Sequence, residues 1–263
     1  MKQKQQAVAV VGEPSGGVLG EAELEELAWA AERLNHGAGL VVRVADMMGG
    51  ALGRTIRAGV RGLGLAPGLQ DGMRALAAAS LRRAFDVAVI GLPQAPGRGR
   101  AAMSQAVVMA SGAAGGFAGI AGFVPDATLT TLTIMREIAW AAQREGESLI
   151  DPDTRRACLE VFALGGTRES GGEGEIGYLS TRFFLQGQTL AALIGEVAGR
   201  YGVALSQKFG LQAVPVLGAI GGAALNAAFL VHYRGLARAH FTVRRLERRY
   251  GRTAVAVALG HGQ

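Results

Sequence analysis

Asp126, Thr130, Thr133 and Glu137 fall at i, i+4, i+7 and i+11, the spacing that puts four side-chain oxygens on one stripe of a helix. The positions between them are mostly Ala, Leu, Ile and Met. Two chemistries fit. In one, Asp126 caps the helix, the threonines bond back to the preceding turn, and Glu137 pairs with a neighbouring arginine. In the other, the oxygens face a buried cleft and hold a small ligand or a cation, with Asn226 or Glu160 opposite. A carboxylate pair in an apolar cleft can have pKa values suited to acid–base work. The spacing is the same for both.

A second group of residues carries charge. Arg234, Arg238, Arg244, Arg245, Arg248, Arg249 and Arg252 stand against a single Glu247 between them, which accounts for the net charge of +6. Such a basic helix seeks an anionic partner: lipid headgroups, nucleic acid or an acidic protein surface. No recognised nucleic-acid module surrounds it, so a solvated or membrane-facing helix is the expectation. Glu21–Glu32 is acidic by contrast and could serve as a contact surface of its own.

Other chemistries fail on spacing. Gly62–Gly68 has one residue too many for a dinucleotide fingerprint. Gly53-Arg-Thr has Arg where a phosphate-binding loop needs Lys, and no serine lies in a nucleophile elbow. His232 and His240 are two helical turns apart, about 12 Å of rise, too far to share a zinc ion. The single Cys158 allows no disulfide within one chain and suits a reducing compartment. No catalytic constellation, metal or cofactor is implied.

The elements that must position these residues read as helices. The chain is 49% hydrophobic and 18% charged and holds 41 glycines among 263 residues. Abundant Gly and Ala with few β-branched runs predict tightly packed helices rather than sheet. A loose tail over 1–18 precedes an amphipathic helix over Glu21–Leu34 and a small-residue helix over Leu40–Val60. Helical periodicity returns over Met73–Ile90, and Gly91–Gly99 is a loop. In Ala101–Pro125, glycines 112/116 and 115/119 stack on one face and admit a close neighbour. Pro125-Asp126 is expected to break this run and start the helix that bears the polar stripe. Asp151-Pro152 has N-cap chemistry for a helix over Thr154–Leu164. Gly165–Gly177 is a polar loop, and a helix follows from Tyr178 towards Gly199. Val203–Tyr233 is a second glycine-rich helical stretch with Lys208 as its one charge, interrupted at Pro215. Leu236–Tyr250 is the basic helix and Thr253–Leu259 an apolar tail. The predicted boundaries are 1–18 tail, 19–253 domain and 254–263 tail.

Ala101–Pro125 and Phe209–Tyr233 each run 25 residues without charge, enough at about 1.5 Å per residue to reach across a hydrocarbon core. Composition argues otherwise. The six strongly apolar side chains of the first stretch contribute roughly 2–4 kcal/mol to insertion, which its Gln105, serines and proline largely offset. A buried helical core is the expectation, and a hairpin lying on or partly entering the bilayer is left open.

Several blocks are similar to the EcsC family of bacterial proteins. These are Gly-Gly-Phe-Ala-Gly-Ile-Ala-Gly122, Thr130-Thr-Leu-Thr-Ile-Met-Arg-Glu-Ile-Ala139 and Glu145 through Gly166. Gln212 through Ala223, Asn226-Ala-Ala-Phe229 and Ala237 through Glu247 complete the set. The resemblance runs from about Gly112 to Gly251. Two positions depart from the family pattern: Pro125 precedes Asp126 instead of following an acid, and Val231 stands where an acid usually precedes the late His. The family is named for a gene beside an ABC transporter operon and has no established reaction. With the residues, it implies an all-α, single-domain accessory protein in the cytoplasm, peripheral on the inner membrane. The expected partner is an anionic membrane surface met by the arginine helix. A ligand or cation binder using Asp126, Thr130, Thr133, Glu137 and Asn226 is the alternative. An adaptor for a transporter or protease complex, touching through the acidic helix, is a third.

Overall fold

A computed structural model describes residues 19–35, 67–92, 100–165, 178–212 and 215–261. The expected tail over 1–18, the helix Leu40–Val60 and almost all of the loop Gly165–Gly177 lie outside those residues, as does most of Gly91–Gly99. Nine helices and no strand occur among the described residues. They are α1 (Glu21–Asn35), α2 (Pro67–Val89), α3 (Arg100–Phe117), α4 (Ile120–Arg144), α5 (Pro152–Gly165), α6 (Tyr178–Gln186), α7 (Leu190–Gln212), α8 (Pro215–Tyr250) and α9 (Arg252–His261).

The spine is α8. Its 36 residues span about 54 Å, and it packs against α1, α3, α4, α5, α7 and α9. The basic segment Leu236–Tyr250 is therefore not a helix of its own. Gly235 alone does not stop a helix that buries Tyr233 before it and Leu236 after it, and the uncharged and arginine-rich segments form one rod. Pro215 begins this rod, where its missing N–H costs nothing. The expected apolar tail lies within α9, which follows a turn at Gly251 (φ 89°) and buries Val255 and Leu259.

The turn between α3 and α4 is not where Pro125 predicts it. The chain reverses at Gly119, whose φ of 61° and ψ of −135° suit a residue without Cβ. Pro125 lies inside α4, one turn from its start, so the carbonyl it leaves unbonded is at the frayed end of the helix. Asp126 is consequently not a cap but an inward-facing side chain.

Two other boundaries follow from capping. Asp151 accepts a hydrogen bond from the Asp153 N–H (2.9 Å) and opens α5 ahead of Pro152, as its N-cap chemistry requires. The helix expected from Tyr178 to Gly199 is two helices. Thr189 accepts from the Ala192 N–H at 3.3 Å and starts α7, separating it from α6.

The core is aliphatic and alanine-rich between α2, α4 and α7, and aromatic where α5, α7 and α8 meet. Phe162 lies 4.9 Å from Tyr233 and 5.2 Å from Tyr201 between ring centroids. Helices α3 and α8 approach so closely that a Cβ on Gly112 would stand 2.3 Å from the Gly222 carbonyl oxygen. Only glycine fits there.

Candidate functional site

The face of α4 that packs on α3 and α8 carries the polar stripe. Asp126 is 2% exposed. Its Oδ1 accepts hydrogen bonds from the Ser111 hydroxyl of α3 (2.7 Å), the Asn226 amide of α8 (2.8 Å) and Thr130 one turn on (3.3 Å). Its Oδ2 stands 2.9 Å from Lys208 Nζ of α7. Asn226 also donates to the Val108 carbonyl at 2.8 Å. Burial lowers the Lys208 ammonium pKa, and the charge and hydrogen bond of Asp126 oppose that shift. Beyond the ion pair, Lys208 Nζ has no hydrogen-bond partner among the described residues, and neither has Asn226 Oδ1.

Three turns along α4, Glu137 is 3% exposed. It accepts from the Ser104 hydroxyl of α3 (2.7 Å) and from Arg234 Nε of α8 (3.0 Å), with Arg100 Nε 4.0 Å away. Asp126 thus meets Asn226, and Glu137 meets Arg234. Just past the helix end, Glu147 meets Arg244 (2.8 Å) and Glu145 meets Arg245 (2.8 Å). The near-constant sequence offset means that α4 and α8 lie parallel, with polar rungs between them. Thr133 is not part of this seam. It is half-buried and bonds back to the Leu129 carbonyl at 2.8 Å. Glu160 is not opposite the stripe either.

Glu160 belongs to a second buried network. It lies on α5, 3.5 Å from Arg156 and 3.8 Å from His240 Nε2 on α8. His240 Nδ1 shares a hydrogen bond with the Tyr178 hydroxyl (3.1 Å), and Arg182 grips Glu247 with both terminal nitrogens (2.7 and 2.8 Å). Burial, reinforced by Arg182 and Arg244, holds His240 well below the ordinary histidine range. Burial raises the Glu160 carboxyl despite Arg182, Arg244 and Arg156. A neutral imidazole therefore faces a carboxyl that protonates readily. Burial also pushes up the Cys158 thiol beside them, which makes it a poor nucleophile.

The arginine row is mostly neutralised within the chain. Arg244 and Arg248 both bond Glu147. Burial would raise the Glu147 carboxyl, but Arg244, Arg248 and Thr154 bring it below the usual carboxylate range. Arg245 bonds Glu145 and Glu26, and Arg249 lies 3.6 Å from Glu23, so the acidic α1 supplies two of the carboxylates. Arg238 stacks 4.8 Å over Trp29 of α1. Arg252 opens α9 and is exposed.

The apolar counterpart is α3. Its serines, Ser104 and Ser111, point inward to carboxylates, while its exposed positions are Met103, Val107, Met109, Phe117 and alanines. Met103 is 66% and Phe117 73% exposed. The same inversion continues on neighbouring helices, where Val124 and Leu129 of α4 and Ile220 and Val231 of α8 are exposed. Among the described residues, no helix is long and apolar enough to cross a membrane, and no group of His, Cys, Asp and Glu could hold a metal ion.

The sequence reading missed Lys208, Ser104 and Ser111 as site residues, although signals for them existed. Lys208 is the lone charge in Val203–Tyr233, and the two serines are seven residues apart, on one helix face. The Glu160–His240–Tyr178 network joins three helices and leaves no local pattern.

An all-helical protein with a polar seam inside and apolar side chains outside its central hairpin is the class these features define. The chain belongs to the EcsC protein family, whose model matches residues 93–246. The match takes in α3 through most of α8, and so the inverted face and both buried networks apart from Glu247. No curated protein and no solved structure matches the chain.

Proposed function

We propose that the chain is a membrane-associated accessory protein that docks peripherally on an anionic lipid surface through the outward face of α3 and the adjoining starts of α4 and α8. The inversion of α3 carries this reading: its hydroxyls turn inward to carboxylates and its Met, Val and Phe side chains turn out. In water that orientation wastes apolar surface, at about 1.5–3 kcal/mol for each large side chain left exposed. Against lipid it is the favourable one, since polar groups in a bilayer face the protein interior. With no helix among the described residues long and apolar enough to span, the chain lies in the interface with this face buried in the headgroup and upper acyl region. The arginine row contributes less than its sequence suggests, because Glu23, Glu26, Glu145 and Glu147 already hold most of it.

Vesicle flotation tests this. Binding to vesicles containing an anionic phospholipid should persist when salt is raised, because it rests on apolar burial. Val107→Glu with Phe117→Glu should remove it while leaving the helical circular dichroism unchanged. Full binding by that variant would sink the reading.

A further inference from the structure

At the foot of α3 positive charge outnumbers carboxylate, unlike along Arg244–Arg249 of the arginine row. At the far end of α8 four arginines meet four carboxylates: Arg244 and Arg248 share Glu147, Arg245 holds Glu145 and Glu26, and Arg249 lies beside Glu23. At the first turn of α3 the balance is different. Arg100 and Arg234 share the one carboxylate of Glu137, at 4.0 and 3.0 Å, and stay 17% and 27% exposed. Arg136, the residue before Glu137 on α4, spends its donors on the Ala88, Ile90 and Gly91 carbonyls at the end of α2 and keeps its charge. Arg144, exposed on the same helix, has no carboxylate partner among the described residues and lies 4.8 Å over the Trp140 ring. Arg100 lies 5.4 Å from that ring. Two guanidinium groups therefore share one carboxylate, and a third, Arg144, lies across the Trp140 ring from Arg100 with no carboxylate of its own among the described residues. Burial, then the charges of Arg136 and Arg234, lower the Arg100 pKa against the pull of Glu137, as expected where cations crowd without enough counter-charge.

This corner adjoins the apolar face. Arg100 is one turn from Met103, and the Arg234 guanidinium reaches the Ala101 carbonyl at 3.4 Å. A half-buried Trp140 between two arginines is also the side-chain chemistry of a membrane interface, where indole sits at headgroup level.

We propose that Arg100, Arg144 and Arg234, around Glu137 and Trp140, bind the phosphate of an anionic phospholipid headgroup while the apolar face of α3 rests in the acyl region. The proposal builds on the membrane reading above and adds the lipid class and the residues that select it. Guanidinium forks match phosphate oxygens. The anion supplies the counter-charge that Glu137 alone does not. The arginine row is then a clamp between α1, α4 and α8, not the lipid contact.

The test uses the full chain and vesicles of phosphatidylcholine alone or with about a third phosphatidylglycerol. Wild type should float with the anionic vesicles several-fold better than with the neutral ones. Arg144→Gln, exposed and outside every ion pair described, should lower binding to anionic vesicles about fivefold and leave binding to neutral ones unchanged. Arg100→Gln should do the same, with an unchanged melting temperature as its folding control. Arg249→Gln in the row should bind like wild type. Wild-type binding by both Arg144→Gln and Arg100→Gln, or an equal loss in Arg249→Gln, would overturn the headgroup site. If the Phe117→Glu and Val107→Glu variant still loses binding in that case, the apolar docking stands and only the headgroup site falls. No flotation of wild type on either vesicle would bring down both.

Discussion

At the scale of single residues, one buried carboxylate of α4 is held by a cation that is itself buried. Lys208 faces Asp126 at 2.9 Å with both side chains 1% exposed. A pair in that setting stabilises little by itself, but removing one member strands the other. Lys208→Met should therefore cost about 3–5 kcal/mol in chemical denaturation, and Asp126→Asn added to it should restore much of the loss. Additive losses in the double variant would show that the two charges do not depend on each other. His240 makes a pH prediction. Its folded pKa is depressed, so the unfolded chain binds the proton first, near its ordinary value of about 6.5, and stability falls as pH drops through that value. The loss should reach about 1 kcal/mol one unit below it. Glu160 works the other way, since its raised folded pKa adds stability on the acid side and loses it as pH rises. A melting temperature that declines between pH 7 and 5.5 in wild type, and declines less in His240→Gln, is the expected result. Equal slopes would mean that His240 is protonated in the folded chain. The α4 stripe was legible in sequence as a period. Of the partners of Asp126, Asn226 was named from the sequence, whereas Ser111 and Lys208 were not, because they sit 15 positions away on α3 and 82 away on α7, where no local pattern points back to Asp126.

At the scale of elements, α3 and α8 are brought together by glycine. The Gly112 position meets backbone, the Gly222 carbonyl, which has no soft side chain to yield. Gly112→Ala should force the helices apart and cost about 1–3 kcal/mol, while weakening the Asn226 bonds to Val108 and Asp126. Gly221, one residue before Gly222, has open space around it. Gly221→Ala should be neutral or gain up to about 1 kcal/mol of helix propensity. Thermal melts of the two variants separate these outcomes, and equal effects would contradict the close approach. The sequence made glycine stacking legible and misplaced the turn. Pro125 was the more visible breaker, but a proline one turn into a helix removes one weak bond, whereas the backbone reversal at Gly119 needs positive φ. The long α8 was hidden for a similar reason. Its two halves differ in composition, and composition does not end a helix.

At the scale of the whole molecule, α4 and α8 run parallel from an uncharged end to a charged one. The α3–α4 turn and the start of α8 present Phe117, Val124 and Ile220, whereas the other end holds α1, the Glu145–Glu147 turn and the arginine row. The charge asymmetry of the sequence, acidic at Glu21–Glu32 and basic at Arg234–Arg252, is consumed in part when α1 docks on α8, where Glu26 meets Arg245 and Glu23 meets Arg249. Counting charge along the chain located the basic segment and could not show that its counter-ions come from α1 and from the turn after α4. The inverted face of α3 was partly legible, as an uncharged run with two serines seven apart. Which side those serines face depends on where the carboxylates of α4 are, and that is a tertiary fact.

Depth-resolved labelling tests the central claim most directly. Because Cys158, the one cysteine, is fully buried, a cysteine introduced at Phe117 or at Arg249 labels selectively. On vesicles containing phosphatidylglycerol, an environment-sensitive label at 117 should shift to the blue and be quenched by lipids carrying a quencher in the acyl chain. The label at 249 should stay open to an aqueous quencher. The reverse pattern would contradict the account, since it would make the arginine row the membrane contact and the outward face of α3 a surface that meets only water.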